Sequence, residues 1–80
     1  MFVNVGRKVY TFYDHAVKRM HERNITFEQV EATMLEPDST TELPLGRTLY
    51  ERVIENHAIG VVVDEGTSEI VTVWQDGEDD

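Results

Sequence analysis

The uncharged run Ala58-Ile59-Gly60-Val61-Val62-Val63 constrains the fold more than any other stretch of the chain. It falls far short of the roughly 20 apolar residues needed to cross a bilayer, so it belongs inside a folded domain. Three valines in succession favour an extended strand. With no polar alternation, that strand sits centrally, covered on both faces or on one face by helices. A second run, Ser68 to Trp74, follows a turn around Asp64 to Thr67 and reads as its partner. The segment Arg47 to Asn56 fits a helix or a strand by spacing. Its Thr, Tyr, Val and Ile content and the strand that follows favour extension.

The first half of the chain has a different period. Phe2 to Val5 and Lys8 to Phe12 are strand-like, with Gly6-Arg7 as a tight turn, although the first could equally be a frayed end. From Asp14, Tyr13, Ala16, Val17 and Met20 recur at helical spacing, with Asp14 or Thr11 available as N-cap. Asn24, one of the few residues that accepts left-handed backbone, closes this helix. Thr26 and Gln29 then form the two ends of a capping box opening a second helix, which carries Phe27, Val30, Met34 and Leu35 and stops at Pro37. Residues 37–46 mix turn formers without periodicity and read as a mobile loop, and 76–80 as a frayed acidic tail.

A chain of 80 residues supports one core, and its 40% apolar and 29% charged residues are those of an ordinary globular domain. Without cysteine there is no disulfide and no thiolate chemistry, so packing or association must stabilise the core. The N-terminus has no apolar signal segment, and the expectation is a single cytoplasmic domain over residues 1–80 with no membrane partner. The pattern predicts an α+β fold, two helices packed on one face of a three- to four-stranded antiparallel sheet.

Charge is distributed unevenly. Residues 1–23 hold Arg7, Lys8, Lys18, Arg19 and Arg23 against Asp14 and Glu22, a local balance of +3. Residues 24–80 hold Arg47 and Arg52 against fourteen acids, a balance of -12. One reading is a basic site for a polyanion on an acidic, soluble body. Another makes the acidic surface the functional one, matched to a basic protein. A third takes the acidity as adaptation to salt, with no bearing on partners.

His15, Arg19 and Arg23 follow one another at i, i+4 steps and form a row at the border of the apolar stripe. Arginine forks suit bidentate phosphate binding, and a histidine nearby passes protons near neutral pH. These groups suffice for RNA cleavage by the 2′-hydroxyl without a metal or cofactor. His15, His21 and His57 show no zinc-ligand spacing. The same row also fits a solvated helix flank, with the arginines paired to Glu22, Glu28 or Glu31. His21 reads as solvated, His57 as structural, and Trp74 as a core aromatic.

The run from His15 to Thr26, HAVKRMHERNIT, resembles the opening motif of the family called domain of unknown function 4258. Glu36-Pro37-Asp38, the Arg47 to Arg52 region and the closing VVVDEG and EIVTVW segments agree in outline, over roughly residues 12–75. Asn24 stands where that motif has glycine. The family is similar to the RelE and ParE toxins and colicin-type ribonucleases, which share two helices on a four-stranded antiparallel sheet. The resemblance implies a small metal-independent endoribonuclease or an inactive descendant, with an antitoxin or other protein partner. His15 would be the acid/base, Arg19 and Arg23 the phosphate binders, and Arg52 a further charge stabiliser. The alternative is a non-catalytic acidic module that binds a basic protein or mimics nucleic acid, using Glu51, Glu55 and Asp64. Oligomeric state is not legible in the sequence.

Overall fold

A computed structural model describes residues 1–76. In chain order the elements are β1 (Phe2–Val5), β2 (Lys8–Phe12), α1 (Asp14–Arg23), α2 (Phe27–Leu35), β3 (Ser39–Leu43), a 3-10 turn (Pro44–Gly46), β4 (Arg47–Ile54), β5 (His57–Asp64) and β6 (Glu69–Gln75). The strands form one sheet in the order β1-β2-β6-β5-β4-β3.

The core grows from β5. Alternate residues of a strand share a face, and Ile59, Val61 and Val63 are all fully buried beneath the helices. Their cross-strand partners complete that face: Tyr50 and Arg52 on β4, Ile70 and Val73 on β6. Each fully buried aliphatic side chain contributes about 1.5–3 kcal/mol, which makes this strip the main source of stability in a chain without disulfides. Helix α1 covers β6 and β2 with Ala16 and Met20. Helix α2 covers β5 and β4 with Val30 and Met34 and reaches β1. Phe27 at its start lies 6.3 Å from Phe12.

Local signals set most boundaries. Asn24 closes α1 in the left-handed region at φ 56, its N–H bonded to the Met20 carbonyl. The Thr26 hydroxyl accepts from Gln29 N at 3.1 Å while the Gln29 side chain accepts from Thr26 N at 2.9 Å, the reciprocal capping box. Buried Thr33 satisfies its hydroxyl on the Gln29 carbonyl at 2.8 Å. Glu55 and Asn56 both have positive φ, 52 and 72, in the two-residue turn between β4 and β5. The N-cap of α1 is Tyr13, with no side-chain cap bond, rather than Asp14 or Thr11.

The sheet corrects the predicted three- to four-stranded antiparallel, RelE-like one: it has six strands and is mixed. Strands β3 to β6 are antiparallel neighbours, but β2 runs parallel to β6, pairing Thr11 with Glu69 and Phe12 with Ile70. The chain passes from β2 into α1 with the Tyr13 N–H on the Ile70 carbonyl at 2.9 Å, fixing the hairpin beside β6. Part of the predicted 37–46 loop is strand β3. An edge strand that exposes nearly every side chain needs no apolar alternation, so Ser39-Thr40-Thr41-Glu42 carries no strand pattern. Apart from Asp76, the expected frayed tail lies outside the described residues. Among the described residues no helix is long and apolar enough to cross a membrane.

The face turned away from the helices carries Gly60 and Trp74 as cross-strand partners. The Trp74 indole packs against Gly60 so closely that any Cβ there would overlap it. Gly60→Ala is therefore expected to cost about 2 kcal/mol by overpacking, read as a lower urea midpoint. An unchanged midpoint would show that the indole swings aside freely.

Candidate functional site

The row predicted on α1 exists as a physical contact at one step. Arg19 Nε donates to His15 Nε2 at a long 3.4 Å, and the same guanidinium lies 3.6 Å from the Glu22 carboxylate. His15 is exposed, while Arg19 and, one turn on, Arg23 are half-buried at the edge of the helix stripe. An exposed pair such as Arg19–Glu22 contributes little, so the guanidinium is readily drawn to a stronger anion. A ring that accepts at Nε2 carries its proton on Nδ1, which leaves Nε2 as the basic atom once Arg19 moves.

Arg52 has different neighbours. On the helix-facing side of β4 it donates to the Ala32 carbonyl at 3.2 Å and lies 3.6 Å from Glu36, so it satisfies the C-terminal turn of α2. The structure gives it these partners on α2 rather than a place beside His15. His57 rests with Nδ1 3.2 Å from the Asp76 carbonyl oxygen. His21 is exposed on the wall of a cavity of about 440 Å³ formed with Met1, Val17, Met20, Asn24, Ile25 and Thr26. Val17 and His21 lie on the flank of α1 opposite the row.

Sequence reading missed the best-satisfied polar constellation. Glu65, in the β5–β6 turn, accepts from Tyr10 Oη at 2.8 Å and from Tyr50 Oη at 2.9 Å. Lys8 Nζ lies 3.5 Å from the same carboxylate and 5.8 Å from the centre of the Tyr10 ring. Burial pushes the Glu65 carboxyl up, but hydrogen bonds from Tyr10, Tyr50 and Thr48 and the Lys8 charge outweigh it, and its pKa falls below the ordinary value. Burial, followed by the bond to Glu65, raises both phenols above theirs. A carboxylate held charged and phenols held neutral do not exchange protons near pH 7. The constellation is a clamp that ties β2, β4 and the turn together. Its members are 55 and 15 residues apart, and Glu65 reads locally as an ordinary turn residue.

Among the described residues no group of three or more His, Asp or Glu side chains is placed to hold a metal ion. The profile of a domain of unknown function, DUF4258, matches residues 12–79. The chain belongs to the DUF4258 family. The matched segment takes in α1, the clamp carboxylate Glu65 and β3 to β6, while the β1–β2 hairpin up to Thr11 precedes it. No curated protein and no solved structure matches the chain.

The clamp gives a signed pH dependence. A carboxyl with a depressed folded pKa stabilises the fold above its unfolded value, near 4.3, and that contribution disappears as pH falls through the folded value. Glu65→Gln is expected to cost about 2 kcal/mol at pH 7. The gap between wild type and variant should narrow below pH 4 in urea titrations, whereas a gap independent of pH would assign the loss to packing.

Proposed function

We propose that this DUF4258 chain is a metal-independent endoribonuclease that works from the exposed flank of α1. The observation that carries the reading is the direct His15–Arg19 contact, a proton acceptor and a phosphate-binding fork held one helical turn apart. The resemblance of the DUF4258 family to the RelE and ParE toxins and colicin-type ribonucleases suggests the reaction, and the six-stranded mixed sheet lends that resemblance no support.

In the free protein the Arg19 N–H occupies the Nε2 lone pair of His15. An RNA phosphate, offering two oxygens to the guanidinium, draws Arg19 away and bares Nε2 beside the 2′-hydroxyl. His15 takes the hydroxyl proton as the O2′–P bond forms. The P–O5′ bond breaks, and the 5′ oxygen leaves with a proton from solvent, giving a 2′,3′-cyclic phosphate and a 5′-hydroxyl end. Arg19 and Arg23 stabilise the charge gathering on the phosphorane oxygens. Arg52, engaged with α2, has no step in this scheme. An antitoxin-like partner would act by covering the same flank.

The test is cleavage of a labelled single-stranded RNA in EDTA by wild type, His15→Ala and Arg19→Ala proteins of verified fold. Each variant is expected to lose about 100-fold or more, with cyclic-phosphate ends in the wild-type products. No cleavage by wild type, or equal cleavage by all three, would remove the proposal.

A second reading, an acidic module for a basic protein, is favoured by one arrangement: Glu36, Asp38, Glu42, Glu51 and Glu55 all lie at the β3–β4 end of the sheet. It predicts salt-sensitive binding to a basic partner that survives loss of His15 and Arg19. The same binding must weaken when Glu51, Glu55 and Asp64 are neutralised, and binding indifferent to those acids rules it out.

A further inference from the structure

Two cavities meet on the flank of α1 that the proposed reaction does not use. The first, of about 440 Å³, has the buried side chains of Met20 and Ile25 at its base, with exposed His21, Asn24 and Thr26 around them. The second, of about 540 Å³, shares Val17 and His21 with the first and adds Asp14, Lys18 and Glu22. Sites for small molecules run from about 300 to 1,000 Å³ and combine an apolar base with a few polar groups at the edge, and the first cavity has that make-up.

We propose that the first cavity receives a single unstacked RNA base carrying an exocyclic amine, and that Lys18 holds the backbone between this base and Arg19. The proposal deepens the ribonuclease reading and rests on it for the choice of RNA. The polar groups at the edge have capacity to spare. Asn24 gives its backbone N–H to the Met20 carbonyl, while its side-chain amide keeps both an acceptor and a donor. The Thr26 hydroxyl accepts from Gln29 N at 3.1 Å, which leaves its own proton to donate. Met20 and Ile25 offer apolar contact to the face of a base, and the exposed His21 ring offers it a stacking partner.

The helix end selects among the bases. The Met20 carbonyl receives the N–H groups of both Asn24 and Ile25, so the carbonyls that follow it in α1 lie beyond the last helical hydrogen bond. The negative end of the helix dipole lies here as well. Such a place favours a ring edge that donates, as the amines of adenine, cytosine and guanine do, and offers little to the two carbonyls of uracil. It also turns phosphate away, toward a cation outside the cavity. At about 100° per residue Lys18 lies between His21 and Arg19 on the outer face of α1, so a strand leaving the cavity for Arg19 passes it. Asp14 and Glu22 border the same second cavity, and a phosphate there is held only at Lys18.

The experiment is a nuclear magnetic resonance titration of the isotope-labelled full chain with adenosine, cytidine and uridine, which carry no phosphate. Adenosine and cytidine are expected to shift the resonances of His21, Asn24 and Thr26 and to saturate in the millimolar range, with uridine at least about fivefold weaker. Asn24→Gly removes the amide and keeps the left-handed cap, since glycine adopts that backbone freely. It should abolish the preference for cytidine over uridine with an unchanged melting temperature. Lys18→Gln should leave cytidine binding as it is and weaken tetracytidylate about fivefold. No shift at the cavity with any nucleoside, equal binding of cytidine and uridine by wild type, or a preference that survives Asn24→Gly overturns the proposal. Nucleoside binding by a chain that leaves RNA uncut would remove the ribonuclease reading and keep the cavity, and RNA cleavage with a silent cavity would do the reverse.

Discussion

Burial of Ile59, Val61 and Val63 on one side of β5 is the constraint from which the rest of the molecule follows. A small domain has one place to hide its apolar surface, and here that place is a single strip under two helices. The strip fixes the register of β4 and β6, and so decides which side of the sheet each of their side chains meets. Tyr50 is thereby aimed at Glu65, Arg52 at the end of α2, and Trp74 away from the helices altogether.

Local chemistry was legible in the sequence wherever a short segment determines its own conformation. The Asn24 stop, the Thr26–Gln29 box and the central position of the valine run all depend on neighbours within a few residues. What escaped is non-local. The parallel contact of β2 with β6 joins residues 58 apart, and no periodicity records which strand a hairpin will lie against. Strand β3 escaped because its exposed edge asks for no apolar pattern. Trp74, expected in the core, reads as core because aromatic residues at strand ends are usually buried, yet only the register reveals its side.

The same division holds for chemistry. The α1 row is visible at i, i+4 spacing, and its His15–Arg19 step is a real contact, whereas the Glu65 clamp is assembled from two strands and a turn. Arg52, attached to the row through the family resemblance, has its partners on α2. The charge asymmetry gains meaning from the strand order. Because the chain begins at one edge of the sheet and β3 lies at the other, a polarity along the sequence becomes a polarity across the molecule.

The junction of β2 with β6 also governs how the molecule comes into being. Its ladder unites the first dozen residues with the last strand, so the sheet closes only after Glu69 and Ile70 have left the ribosome. Until then the hairpin has no neighbour on its inner edge, and α1 has not acquired the Ile70 carbonyl that receives the Tyr13 N–H. A contact of such long sequence separation carries a loop-closure penalty before any burial offsets it. Strands β4, β5 and β6 are neighbours without the hairpin, so the β2–β6 ladder is the pairing whose formation closes the longest loop in the sheet.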